Sequence, residues 1–394
     1  MIASRRRFLQ TTSVLLSAPL IVKTLGKGAL AVLSTPQYLV PFTDSKFGTK
    51  VVRVTNPNNP VPGLGLTWAG VAIHHYSIDQ AWNADQSLLI LDRGTSPRVF
   101  LDGTTYKPLM AWKNPGSIRW HRTNPDLMVF VGSKGVGYWN VRNNTLEILN
   151  ALSGYTNATI GEKGNLSDDG TMLAIRATRS DGKQVAFAYN LSTGHKYPDI
   201  DVSAWYDPNW TTVSPKGTYV VCYPQKTSST RDNQRVVFTL DGNVMQNWPE
   251  NERPGHCDFM VDSNGYEVAI GRSKVDSYRM ITRRLVDGKI TFLSDPCQAS
   301  HTSARCLKNP AWVFGSFTSN PLKSGQLPCV NEIAAVSTDG TQKIRHLAQH
   351  NSVPNGYFTE PHGSPSPDGK RAIFASNWGV ANGPVASYVA EFTS

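Results

Sequence analysis

The chain has 394 residues, with 39 Lys+Arg against 29 Asp+Glu and a formal charge of +10. It is 40% hydrophobic and only 17% charged, with 32 Gly, 25 Pro and 5 Cys. Plentiful aromatic and β-branched residues exclude intrinsic disorder, the scarcity of Cys excludes a disulfide framework, and Gly and Pro at short intervals exclude a helical bundle.

In chain order, the first element is an address. Ser4-Arg5-Arg6-Arg7-Phe8-Leu9-Gln10 precedes a modest apolar run from Ser13 to Val22, then Lys23. Ala29-Leu30-Ala31 supplies a small-x-small cleavage site. Paired arginines before a weakly hydrophobic segment predict a twin-arginine export signal over residues 1–31 and a periplasmic or extracellular location. Retention of the signal would tether the protein to the membrane. Residues 32–48 read as a linker, and 49–394 as the folded domain.

From residue 50 onward one pattern recurs: a tight polar turn, then a strongly apolar strand. Clear copies are Ser167-Asp168-Asp169-Gly170, Ser214-Pro215-Lys216-Gly217, Asp262-Ser263-Asn264-Gly265 and Ser366-Pro367-Asp368-Gly369; weaker ones begin at Asn83 and Thr123. A second series interleaves with the first: Asp102-Gly103, Asn143-Asn144, Thr193-Gly194, Asp241-Gly242, Asp287-Gly288 and Asp339-Gly340. Such dipeptides tolerate positive φ and predict two-residue hairpins. Two hairpins per unit of about 40–50 residues make four antiparallel strands, one β-propeller blade. Seven units follow, the sixth degenerate around Ala304 to Phe317. The seventh lacks an outer strand, while Thr49 to Thr55 is a spare strand. The prediction is an all-β, seven-bladed propeller of four-stranded blades, closed by that N-terminal strand.

In such a ring the innermost strands open beside one central mouth. Their openings here are His74-His75-Tyr76, Trp120-His121, Asn165, Tyr206 to Trp210, Gly255-His256-Cys257-Asp258, His301 and Glu360-Pro361-His362. His256, His301 and His362 come from adjacent units five, six and seven, so they are predicted to converge. Neutral imidazoles with a thiolate suit Zn²⁺ or a related divalent ion. Cys306 is the preferred fourth ligand, because His256 and Cys257 point to opposite faces of their strand. The strands that return to the mouth bring Arg93, Lys134, Arg176 with Arg179, Lys226, Arg272 with Lys274, Lys323, and Asn377-Trp378. Collected around a concave mouth, these cations would attract anions, and Trp378 would stack on flat or sugar-like groups. An acidic polysaccharide fits this better than nucleic acid, for which no recognition motif is present.

Gly255-His256-Cys257-Asp258, His301-Thr302-Ser303-Ala304-Arg305 with Pro310-Ala311-Trp312, and Glu360-Pro361-His362 with Ser366-Pro367-Asp368-Gly369 resemble motifs of seven-bladed polysaccharide lyases, the oligogalacturonate and ulvan lyases. The resemblance implies β-elimination of a uronic acid: a base removes the C5 proton, a cation neutralises the carboxylate and an acid protonates O4. Such chemistry needs a base within hydrogen-bond reach and electrostatic support for the enolate. His75 is the expected base with His74 as substitute, Tyr206 the expected acid, and Arg176 and Arg305 the expected carboxylate partners. In the oligogalacturonate group a metal held by histidines and Gln neutralises the carboxylate; no Gln counterpart is evident here. The competing reading is a noncatalytic propeller that docks another exported protein through the same basic face. Hydrolysis, which wants two converging carboxylates, is the weaker reading: Asp258 and Glu360 sit at strand openings, but the first adjoins a candidate metal ligand and the second adjoins Pro361.

Overall fold

A computed structural model describes residues 34–392 except 206–209, 224–233, 250, 276–278, 298 and 319–328. The export signal of residues 1–31 lies outside the described residues, as do Tyr206, Lys226 and Lys323.

Seven antiparallel sheets follow one another along the chain as the blades of a propeller. Blade one contains Leu88–Ile90, Arg98–Asp102 and Pro108–Trp112, with a bridge from Trp82 to Leu89 on its inner side. Blades two to six are four-stranded, each beginning at its innermost strand: Ser117–Trp120, Tyr155–Thr159, Thr211–Val213, Gly255–Val261 and Ala299–Ser303. Blade six is complete, with Trp312–Phe317, Glu332–Ser337 and Ile344–Gln349 outside its inner strand. It looks degenerate in sequence because its turn contains no glycine. The Asn309 N–H reaches the Cys306 carbonyl at 2.8 Å and the Trp312 N–H reaches that of Asn309 at 3.3 Å.

The turn motif has a mechanical cause. Ser167, Ser214 and Ser366 each accept, on the side-chain oxygen, the N–H of the residue five positions on, at 2.9, 3.0 and 3.1 Å. Asn83 does the same for Leu88 at 2.9 Å, which explains the weaker copy. Gly170, Gly217, Gly265 and Gly369 all have φ between 69 and 80°. The second series closes longer loops than two residues: Asn190 pairs with His195 and Arg284 with Lys289, with the left-handed glycine last in the loop. At Asp102-Gly103 it is Tyr106 that has positive φ, 61°, while Gly103 lies so close to Gln86 that a Cβ would meet its carbonyl oxygen at 2.0 Å.

Every blade is buried on both faces. In blade four Val220 packs towards blade three, with Ala174, Ala186 and Phe238, whereas Val221 packs towards blade five, with Phe259 and Ala269. Successive side chains on a strand point to opposite faces, so the strands read as unbroken apolar runs. Seven such clusters fill the seven gaps between blades.

The ring closes as predicted. Lys50–Arg53 pairs antiparallel with Val385–Glu391, Val51 against Ala390 and Val52 against Val389, as the missing outer strand of blade seven. Phe42–Thr43, in the segment read as linker, adds a further short strand outside it. Val52 also packs against Leu89 and Val99 of blade one. Val52→Asp puts an unpaired charge into this joint and should cost about 4 kcal/mol or more in urea unfolding. Lys50→Ala breaks only the exposed pair with Glu391, and should cost less than about 1 kcal/mol.

Candidate functional site

His256, His301 and His362 meet. The His256 and His301 ring centroids lie 4.7 Å apart and those of His301 and His362 4.3 Å apart, each pair edge to face. Register shifts in the inner strands, between Gly255 and Asp258 and between Ala299 and His301, help to turn these side chains towards the mouth. His256 and His362 occupy left-handed backbone, with φ of 45° and 47°. Such conformations cost on the order of 1–3 kcal/mol and cluster at functional sites. Both are held by side chains: Thr302 Oγ1 donates to the His256 carbonyl at 2.5 Å, and His74 Nε2 to that of His362 at 2.7 Å.

Glu360 completes the group. Its Oε2 lies 3.4 Å from His301 Nε2 and 3.5 Å from His362 Nε2. These separations are close to the roughly 3.3 Å edge of a tetrahedron with metal–ligand bonds of about 2.0–2.1 Å. His301 and His362 are buried, and none of their four ring nitrogens has a hydrogen-bond partner of good geometry among the described residues. Unsatisfied buried polar atoms of this kind point to an unseen partner. Burial, reinforced by mutual repulsion, pushes His301 well below the ordinary imidazole range; burial also lowers His362, against the opposing pull of Glu360. His256 is pushed down to about 3, by burial and then by Arg272. Neutral imidazoles beside an ionised carboxylate are the donor set a divalent cation requires.

Two aromatic rings line the cluster. Tyr76 is buried against His301 and His362, with centroids at 5.1 and 4.9 Å. Half-exposed Tyr357 stands 4.6 Å from His362, and burial pushes its hydroxyl up to about 12. Lys163 Nζ lies 4.6 Å from the Tyr76 ring centroid and 5.0 Å from that of Trp210. Lys163 and Arg272 both act electrostatically on His256 and His301.

The other predicted residues go elsewhere. Cys306 is separate from the imidazoles: its Sγ donates to the Trp312 carbonyl at 3.0 Å among Phe314, Phe374 and Ala372, and burial pushes its pKa up to about 12. Arg305 is already neutralised. Its guanidinium binds both oxygens of Asp258, at 2.8 and 3.0 Å, with both side chains almost wholly buried. His75 directs Nδ1 at Asp79 and Nε2 towards Asp92, 3.7 Å away, inside a cavity of about 380 Å³ also lined by Arg98 and Arg119. His74 is structural, since beyond its bond to His362 its backbone N–H and Nδ1 face Ser387 Oγ. Arg176 sits opposite Thr159 and Ala186 in blade three. Arg179 pairs with Asp181, and Trp378 is buried against Tyr388 and Phe42, which removes it as a stacking platform. Lys163 and Tyr357 escaped the sequence reading, and Tyr76, placed there at a strand opening, was given no role; its position after the His74-His75 pair and that of Lys163 before the blade-three opening are the available signals.

The site thus defines a seven-bladed propeller with a histidine–carboxylate cluster at its mouth. No family model and no curated protein matches the chain. Among the solved structures that share the fold are two oligogalacturonate lyases. One is an oligogalacturonate lyase in complex with manganese, at 14% identity and a TM-score of 0.61, covering 90% of this chain and 96% of that one. The other is the oligogalacturonate lyase of Vibrio parahaemolyticus, at 12% identity and a TM-score of 0.60, covering 90% and 97%.

Arg305→Ala leaves Asp258 buried and unpaired, and should cost about 3–5 kcal/mol in urea unfolding. A second stability test concerns His350, whose Nε2 donates to the Phe317 carbonyl at 3.0 Å while Nδ1 accepts the Ser352 N–H at 3.0 Å, so the ring is neutral. Burial lowers its pKa to about 4. The unfolded chain takes up this proton near pH 6.5, so the contribution is present above that pH and is lost as acid approaches pH 4. Between pH 7 and 4.5 the wild type should lose about 2–3 kcal/mol more than His350→Gln.

Proposed function

We propose that the protein is a metal-assisted lyase for uronate-containing oligosaccharides or polysaccharides, acting outside the cytoplasm after export under the signal of residues 1–31. The observation that carries this reading is the His301–Glu360–His362 cluster, with its unsatisfied buried ring nitrogens, at the mouth of a fold shared with oligogalacturonate lyase. His301, His362 and Glu360 would hold the ion. A divalent cation bound there supplies a Lewis acid for the uronate carboxylate and for charge developing beside it.

The chain's own residues divide the remaining work. His256 lies outside the ligand trio and its imidazole is neutral, so it takes the C5 proton on a ring nitrogen. The released electron pair forms the C4–C5 double bond as the C4–O4 bond breaks. Tyr357, held protonated by its raised pKa, gives its Oη proton to O4. Lys163 and Arg272 add positive potential on the side where the carboxylate arrives. His75 gives up the role of base in this scheme, because both its ring nitrogens face carboxylates.

The test is an elimination assay on pectate, ulvan, alginate and glycosaminoglycans, following ultraviolet absorbance of the unsaturated uronate. At least one polymer should give product. His301→Ala and removal of metal by chelation should each lower kcat/KM by at least about 100-fold, with manganese or zinc restoring the chelated enzyme. His256→Ala should lower kcat while metal content stays unchanged. Silence on every uronate would reject the lyase and favour the reading in which the same basic face docks another exported protein.

A further inference from the structure

On blade six, in the stretch of chain between His301 and His362, stand Cys329, Glu332 and His346. One ligand atom from each lies within 4.8 Å of the others. Glu332 opens a buried strand, Glu332–Ser337, and its carboxylate is 1% exposed. Its two oxygens are met from the solvent side by His346 Nδ1 at 2.8 Å, with that side chain 40% exposed, and by Lys46 Nζ at 3.5 Å, 47% exposed. The Cys329 thiol is buried and also faces Glu332.

A backbone irregularity makes this meeting. Glu332 pairs with Gln349 and Ala334 with His346, with a register shift between Ile333 and Ala334. Residues 346 and 349 would otherwise point to opposite faces of their strand; the bulge puts both on the face of Glu332. The same place anchors the segment that leads into the closing strand Lys50–Arg53. The Asp44 carboxylate accepts the N–H groups of Lys46 and Phe47 and, on its other oxygen, that of Gln349. The Phe47 ring stacks on His346, with centroids 5.2 Å apart and planes at 9°.

We propose that Cys329, Glu332 and His346 form a second cation site, for zinc or a similarly borderline divalent ion, which staples the segment leading into the closing strand onto blade six. Thiolate, imidazole and carboxylate together form the mixed donor set that zinc accepts. Bonds of about 2.0–2.3 Å require ligand atoms about 3.3–3.8 Å apart, so a bound ion would part His346 Nδ1 from the Glu332 oxygen it meets at 2.8 Å and take its place between them. Cys329 releases its proton to solvent on binding. Lys46 swings off Glu332 into water, which its exposure permits, and the solvent beside His346 supplies a fourth ligand. The site is independent of the uronate reaction, because no residue is shared with the mouth.

Cobalt substitution of the full chain tests the proposal without any substrate. Bound Co²⁺ should show the near-ultraviolet thiolate charge-transfer band, which the mouth cluster, having no thiol ligand, does not produce. Cys329→Ser should abolish the band, and His301→Ala/His362→Ala should leave it intact. His346→Ala alters only a half-exposed side chain; it should fold, bind one zinc ion fewer per chain than the wild type and lose the zinc-dependent rise in Tm. Absence of the band in the wild type, its survival in Cys329→Ser, or equal zinc content in His346→Ala and the wild type would each overturn the second site, whatever the elimination assay shows.

Discussion

Each blade of this protein buries both of its faces, so none can be satisfied without two neighbours, and the ring must close. The four residue pairs between Lys50–Arg53 and Val385–Glu391 perform that closure. They join the two ends of the domain through backbone hydrogen bonds and side-chain packing together. Val51 faces the blade-six side and Val52 the blade-one side, so one short strand completes two inter-blade clusters at once. An open ring would expose two sheet edges and two apolar faces, both templates for aggregation.

Closure is also what gives the mouth its geometry. His301 and His362 belong to blades six and seven, while Tyr76, on which both imidazoles rest, precedes blade one. The rigid ring over-determines the position of each inner strand. It can therefore hold two histidines in left-handed backbone and keep buried imidazoles without good partners. The compensations are local: His74 clamps the His362 carbonyl, and Thr302 clamps that of His256. Strain and desolvation gather at the mouth because the packing around it tolerates them.

The charges of the chain sort into two kinds once burial is considered. Arg305 and Asp258 neutralise each other in the interior, and Arg119 is spent on Asp79 and on the carbonyls of Gly161, Glu162 and Gly164. These guanidinium groups fasten the inner strands of neighbouring blades to one another. Lys163 and Arg272 act instead on the imidazole cluster. A basic composition thus divides between mortar and field, and sequence alone cannot assign a given arginine to either.

The propeller itself was legible because its signals are local and repeated. A serine or asparagine that caps an N–H five residues later, a left-handed glycine, and an apolar run buried on both faces leave the same trace in most units. Convergence of His256, His301 and His362 was legible for the same reason, since each opens an inner strand. Blade six was harder to see because Asn309 turns the chain there without a glycine. What the sequence determined by itself was therefore the repeat, the closing strand and the imidazoles at the strand openings. Tertiary structure alone decided that Glu360 and not Cys306 completes the cluster, and that Arg305 belongs to Asp258. It also brought Cys329, Glu332 and His346 together through one bulged residue. Those outcomes depend on which face of a strand a side chain occupies and on which charge lies across the blade gap, and neither is encoded in spacing along the chain.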